Sequence, residues 1–230
     1  MSKEYIYQAA FDDCDKLKNI HINDIASYCS VNISDYADLF FINSILYSQG
    51  ELISELIIPD GVERISARIF SGCGSIESLT LPKTLKFINY SAFSDCPILK
   101  EVNIYSDAEI GSGVFHNCAQ LSTINIYSVI PPTLGANVFY ESYPEYMTLH
   151  VPKGYKEYYS STSGWKDFGT IIDDLSNEAG IENVSIDNNQ PIDIYSLDGV
   201  RVFSGISNYE LESGIYIIRQ GMKCKKIIIK

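Results

Sequence analysis

Nowhere in this 230-residue chain do eighteen uncharged apolar residues run together, so no bilayer-spanning helix and no membrane insertion are expected. Basic residues are short: 17 Lys and Arg stand against 29 Asp and Glu, a formal charge of −12. That balance excludes nucleic acid or anionic lipid as the main partner, since both need a basic footprint. Histidine occurs only at His21, His116 and His150. Their spacing along the chain offers no base beside a nucleophile, so triad chemistry is not expected. The six cysteines form no Cys-x-x-Cys, and their spacings of 15, 44, 23, 22 and 106 residues match no zinc or redox pattern. Gly111-Ser-Gly113 lacks the third glycine of a phosphate loop. The acidic runs Asp12-Asp13-Cys14-Asp15 and Asp173-Asp174 lack calcium-loop spacing and read as a solvated turn and a linker. No cofactor or metal is therefore expected. The residues Met1–Glu4 lead into a polar stretch, with no apolar core of a secretion signal.

What is present is a repeat. Hydrophobic residues at 46% and charged residues at 20% belong to a globular chain. Phe70..Cys73..Ile76..Leu79.Leu81 recurs as Phe93..Cys96..Leu99..Val102.Ile104 and again as Phe115..Cys118..Leu121..Ile124.Ile126. An earlier copy reads Phe11..Cys14..Leu17..Ile20.Ile22. Leu56-Ile57-Ile58-Pro59 and Leu149-His150-Val151-Pro152 are partial copies. A period of 22 or 23 residues with this spacing is a leucine-rich repeat signature. Alternation in each strand sends Leu79 and Leu81 inward and Thr80 outward. One unit cannot bury its apolar face alone, so successive units must stack into a continuous core. Val62, Ile65, Leu85 and Ile88 are placed to close the back of the coils, while the cysteines stack as a buried ladder, acting as small hydrophobes more than as disulfide partners.

Two stretches depart from the period. Between Ile22 and Leu56 the extra length accommodates a helical turn near Ile25–Cys29 and a hairpin of Ile45-Leu46-Tyr47 and Leu52-Ile53 around Ser48-Gln49-Gly50. At the other end, Tyr155 to Tyr159 and Gly164-Trp165-Lys166-Asp167-Phe168 form an aromatic segment suited to capping the core. Beyond a polar linker at 173–180 the period becomes two. Val184–Ile186, Ile192–Tyr195, Val200–Val202, Ile215–Ile217 and Ile227–Ile229 read as short strands, with Asp198-Gly199 as a hairpin turn. The expected organisation is a solenoid over 1–172, the linker, and a small antiparallel β module over 181–230. The fold class is α/β or mostly β, a right-handed leucine-rich repeat solenoid with a parallel sheet.

The Ala-Phe-x-x-Cys-x-x-Leu-x-x-Ile-x-Ile pattern, complete at Ala92-Phe93 and Ala10-Phe11, resembles the BspA-like leucine-rich repeat surface proteins of Bacteroidetes. Pro131-Pro132-Thr133, Val151-Pro152-Lys153-Gly154 and the Gly164–Phe168 run are similar to that family's closing segment. The tail, with Ile194-Tyr-Ser-Leu-Asp-Gly-Val-Arg and Lys225-Lys-Ile-Ile-Ile-Lys230, resembles C-terminal sorting modules of secreted proteins. The resemblance implies a secreted or cell-surface adhesion protein without catalysis, its partner a host or bacterial surface protein or a glycan. A structural spacer with no ligand of its own is the alternative.

Any binding surface should lie on the outward face of the strands, the concave side of a leucine-rich horseshoe. Its middle positions, in chain order, are His21, Ile57, Thr80, Asn103, Asn125 and His150; one step on come Tyr105 and Tyr127 among prolines. Amides beside aromatic rings suit sugar hydroxyls or peptide groups. The candidate ligand-binding residues are therefore His21, Thr80, Asn103, Tyr105, Asn125, Tyr127 and His150.

Overall fold

A computed structural model of the chain describes residues 5–6, 17–33, 43–176, 192–196, 201–205, 214–220 and 223–229. The chain divides into two compact units, 1–179 and 180–230. The first copy's Phe11 and Cys14 and the expected strand at Val184–Ile186 lie outside the described residues, as does the Asp198-Gly199 turn.

In the first unit the strands are β1 (Tyr5–Ile6), β2 (Asn19–Ile22), β3 (Asn32–Ile33), β4 (Ile45–Ser48), β5 (Glu51–Leu52), β6 (Glu55–Ile57), β7 (Arg64–Ile65) and β8 (Ser78–Leu81). They continue as β9 (Phe87–Ile88), β10 (Glu101–Ile104), β11 (Glu109–Ile110), β12 (Thr123–Ile126), β13 (Thr148–Pro152) and β14 (Thr170–Leu175). Helices are few and short, α1 (Ile25–Cys29) and α2 (Lys156–Ser161). The fold is mostly β, a leucine-rich repeat solenoid built on a six-stranded parallel sheet in the order β14-β13-β12-β10-β8-β6. From β6 to β13 the register holds, so that Leu56, Leu79, Val102, Ile124 and Leu149 align side by side. All five are fully buried. A second parallel sheet, β11-β9-β7, closes the back with Ile65, Ile88 and Ile110 pointing in.

The turns between coils explain the phenylalanine and cysteine. Phe70, Phe93, Phe115 and Phe139 stack face to face, with centroids 5.1, 5.9 and 5.8 Å apart. Tyr28 meets one end of this column edge-on, and Trp165 and Phe168 close the other. Each turn bends through two left-handed residues, two before and two after the phenylalanine. They are Arg68 and Gly72, Ser91 and Asp95, Gly113 and Asn117, Asn137 and Glu141, all with φ between 52° and 74°. Glycine, Asn and Asp tolerate that geometry best, and together hold five of the eight positions.

Cys29, Cys73, Cys96 and Cys118 are free thiols and buried, as expected of small apolar residues. They do more than fill space. The Cys96 thiol donates to the Phe70 carbonyl (3.3 Å) and the Cys118 thiol to that of Phe93 (3.2 Å). In the next coil Ser142 occupies the same place and donates to the Phe115 carbonyl (2.5 Å). The position therefore needs a small donor that answers a turn carbonyl one coil away, a role a sulfur or an oxygen can take.

The irregular stretches form as expected in type. The α1 helix occupies Ile25–Cys29, with the Asp24 carboxylate accepting from the Ser27 N–H at 2.8 Å as its N-cap. Strands β4 and β5 pair antiparallel across Gln49 and Gly50, whose φ of 52° and 88° give a tight hairpin turn. At the far end Trp165 and Tyr159 are fully buried, and the Trp165 indole N–H donates to the Pro132 carbonyl at 2.8 Å. One boundary is corrected. Residues 173–175, expected to begin the linker, instead finish β14 and continue the main sheet. Leu175 pairs with Pro152, and the Asp173 carboxylate accepts from the Gly154 N–H, so these acidic residues hold the last rung.

The second unit holds β15 (Ile192–Ser196), β16 (Arg201–Gly205), β17 (Gly214–Gln220) and β18 (Lys223–Ile229). They form an antiparallel sheet in the order β16-β15-β17-β18. Ile194 is fully buried there, which matches the alternating pattern read from the sequence.

Candidate functional site

The outward face of the six-stranded sheet carries one unbroken row. In-register pairing sets Ile57 beside Thr80, Thr80 beside Asn103, Asn103 beside Asn125, Asn125 beside His150 and His150 beside Ile172. Parallel pairing brings neighbours within about 5 Å, close enough for short side chains to bond directly. The Asn125 amide donates to the Asn103 carbonyl oxygen at 2.9 Å and to Glu101 Oε1 at 2.8 Å. Asn103 donates to the same carboxylate oxygen at 3.3 Å. Both amides thus turn their N–H groups toward Glu101. The Asn125 carbonyl oxygen faces the other way with no hydrogen-bond partner among the described residues. His150 closes the row, its Nδ1 2.8 Å from Asp174 Oδ1.

Tyr105 and Tyr127 lie one step along. Their rings stack with centroids 4.2 Å apart and planes within 2°. Burial pushes the Tyr127 phenol up to about 12, helped by the Tyr105 hydroxyl beside it and by the Glu101 and Asp174 carboxylates. Tyr127 therefore stays neutral at any physiological pH, and both rings carry hydroxyl groups that donate and accept. No Lys or Arg occurs in β6, β8, β10, β12, β13 or β14. A face with carboxylates and neutral donors, but no cation, favours ligands rich in hydroxyl or amide groups over anions.

The structure thus joins Thr80, Asn103, Asn125 and His150 in one row and sets Tyr105 and Tyr127 beside it. It does not bring His21 there. Strand β2 belongs to a separate sheet, β2-β4-β5, where His21 pairs with Tyr47 and stacks on its ring at 4.7 Å. The reason is the long insertion before Leu56, which interposes β4 and its hairpin between His21 and the main sheet. Pro82 and Pro152 are buried, whereas Pro59, Tyr105 and Tyr127 at that outer position are half-buried. His116, in a coil turn, stacks on Tyr140 and lies 3.7 Å from Glu141, outside the row.

Sequence reading missed three residues of the site. Glu101 and Asp174 orient the amides and His150, and Ile172 extends the row. Glu101 was legible as the outward residue two before Asn103. Asp174 and Ile172 were hidden because β14 has no leucine-rich motif of its own. Among the described residues no group of His, Cys, Asp and Glu is arranged to hold a metal ion, and no helix is long and apolar enough to cross a membrane.

The match with known families now has a structural counterpart. A model of the BspA type leucine rich repeat region matches six copies over residues 1–37 and 41–162. The chain belongs to the BspA-type leucine-rich repeat family. This protein is also similar to a solved leucine-rich repeat protein from Bacteroides ovatus ATCC 8483, at 18% identity over 74% of this chain and 64% of that one, with a TM-score of 0.26. No curated protein matches the chain. A BspA-type repeat fold suits a binding or scaffolding role.

Proposed function

We propose that this BspA-type chain is a non-enzymatic binding protein, displayed outside the cell, that holds a glycan or a polypeptide segment on the outward sheet face. The observation that carries this reading is the in-register row Thr80–Asn103–Asn125–His150 with the stacked Tyr105–Tyr127 pair at its side. The Asn103 and Asn125 amides held by Glu101, and the His150 ring held by Asp174, lose little entropy on meeting a ligand. Affinity would come from complementarity over several rungs, with no bond made or broken. Host or bacterial surface molecules are the partners this chemistry accommodates; nucleic acid and membrane insertion play no part. Residues 181–230 serve as a sorting module, after the resemblance of their strand pattern.

A second reading rests on the same bonds. Because Asn103 and Asn125 satisfy each other and Glu101, the row also works as a sheet-stabilising ladder in a spacer with no ligand. Screening the purified chain against glycans and matrix proteins separates the two. Saturable binding that falls at least tenfold in Asn103→Ala or Tyr105→Ala, with an unchanged fold, supports the binder. Absence of saturable binding at high protein concentration supports the spacer.

A further inference from the structure

Away from the sheet face a second concavity lies between the turn 131–145 and the cap loop 162–167. Its volume is about 840 Å³, within the range of sites that enclose a compact ligand. Both walls are fixed. The Trp165 indole bonds to Pro132, the Gly169 N–H donates to the Pro144 carbonyl at 3.1 Å, and a side chain at Gly164 would meet Leu134 at 2.7 Å. The cleft is therefore preorganised and not a product of loose loops.

Its lining has one sign of charge. Glu141, Glu145 and Asp167 border it, and no Lys, Arg or His does. Glu141 has His116 at 3.7 Å, but neither Glu145 nor Asp167 has an ion-pair partner among the described residues. Two aromatic rings accompany the carboxylates: Tyr140 is 58% exposed and Tyr143 53% exposed. One face of Tyr140 is taken by His116, leaving the other toward solvent. Open aromatic faces beside carboxylates recognise a planar cation, which stacks on the ring and forks its N–H groups to the acids. This chain makes the stacking half of that contact elsewhere, with the Arg64 guanidinium 4.3 Å from the Phe87 ring centroid and that of Arg68 5.5 Å from Tyr90. The formal charge of −12 draws such a group in.

We infer that this cap cleft is a second binding site, for an arginine-bearing segment of a partner protein. The apolar stem of the arginine would lie along Pro131, Pro132 and Pro144, and its guanidinium among Tyr140, Tyr143 and the three carboxylates. This site is independent of the outward sheet face and stands or falls separately from it.

The test uses the full chain and a capped Arg-Gly-Tyr-Arg peptide, with the citrulline counterpart as the neutral control. Titration is followed by calorimetry and by the fluorescence of Trp165, the chain's single tryptophan, which packs under the cleft. The arginine peptide should bind at least tenfold more tightly than the citrulline one, and the difference should shrink in high salt. The double variant Glu145→Gln with Asp167→Asn should lose that preference. Glu141→Asn should weaken it without loss of stability, because position 141 is left-handed (φ 60°) and Asn accepts that geometry better than Glu. Asn103→Ala should leave it unchanged. Equal binding of both peptides, binding of neither, or full retention in the double variant would overturn the proposal. Tighter binding of a glucosamine oligomer than of the peptide would overturn it in favour of an amino sugar.

Discussion

The middle coils and the C-terminal cap solve the same problem by opposite means. Between residues 78 and 126 the strand and turn positions recur every 22 or 23 residues and pack on their own copies, phenylalanine on phenylalanine and valine beside leucine, with a thiol under the carbonyl of the preceding turn. Beyond the partial copy at 149–152 nothing repeats; Trp165 meets Phe139 and Tyr159, and Phe168 meets Phe139, at steep angles, while Trp165 and Phe168 stack. The difference teaches where each kind of stability resides. A repeated contact is one of several equivalent terms, and its neighbours support the coil when it is lost. A cap contact has no copy, and losing it opens the end of the core to water.

The largest effect should follow from breaking the cap. Trp165→Ala should cost about 3–5 kcal/mol and fray β14, measured by urea unfolding and by amide exchange in 170–175. Within the coils, Leu79→Ala or Ile104→Ala should cost about 2–5 kcal/mol and loosen the adjoining rungs while the cap remains ordered. An unchanged unfolding midpoint in either would contradict the core assignment.

Most of this contrast was legible in the sequence, because a period repeated several times is self-correcting. Leu79, Val102 and Ile124 identify one another, and one chance match would not. The cap was legible as an aromatic cluster, but β14 was not, since Thr170 to Leu175 pairs with β13 without carrying the motif. The outward row was readable wherever the register held. His21 was misplaced because an inserted rung changes which strand lies next to it, and spacing alone does not reveal an insertion's pairing. The cap cleft left no signal at all. Its walls come from segments about twenty or more residues apart, brought together by the Trp165 and Gly169 bonds and by the packing of Phe139 on Trp165 and Phe168.

Alkaline pH sharpens the comparison, because the buried thiols belong to the coils. Burial pushes the Cys29 thiol up to about 12 and also raises Cys73; the Cys118 thiol beside Cys96, together with burial, raises Cys96. Above an ordinary thiol value of about 8.5 the unfolded chain sheds these protons while the native coils keep them. The native state then binds more protons, so stability falls as pH rises from about 9 toward 12. Urea midpoints measured across that range should decline, with a shallower decline in Cys29→Ala. A flat profile would show that the thiols titrate alike in both states.

The smallest expected effect tests what the repeated position requires. Ser142→Cys should be close to neutral, since Cys96 and Cys118 already make the same bond to the preceding turn. Ser142→Ala should cost about 1–3 kcal/mol, because the Phe115 carbonyl loses its donor and the buried Cys118 N–H its acceptor. Equal stability of the two variants, compared by thermal unfolding, would reduce the position to a matter of size.

The unshifted register from β6 to β13 has a consequence for how such chains change length. Any two equivalent points in neighbouring coils are interchangeable junctions. Joining Leu81 directly to Tyr105 removes one whole turn, yet every remaining strand still meets a neighbour in phase. Gene segments of this size can be gained or dropped as units, so the span of the outward face is adjustable without redesigning either end.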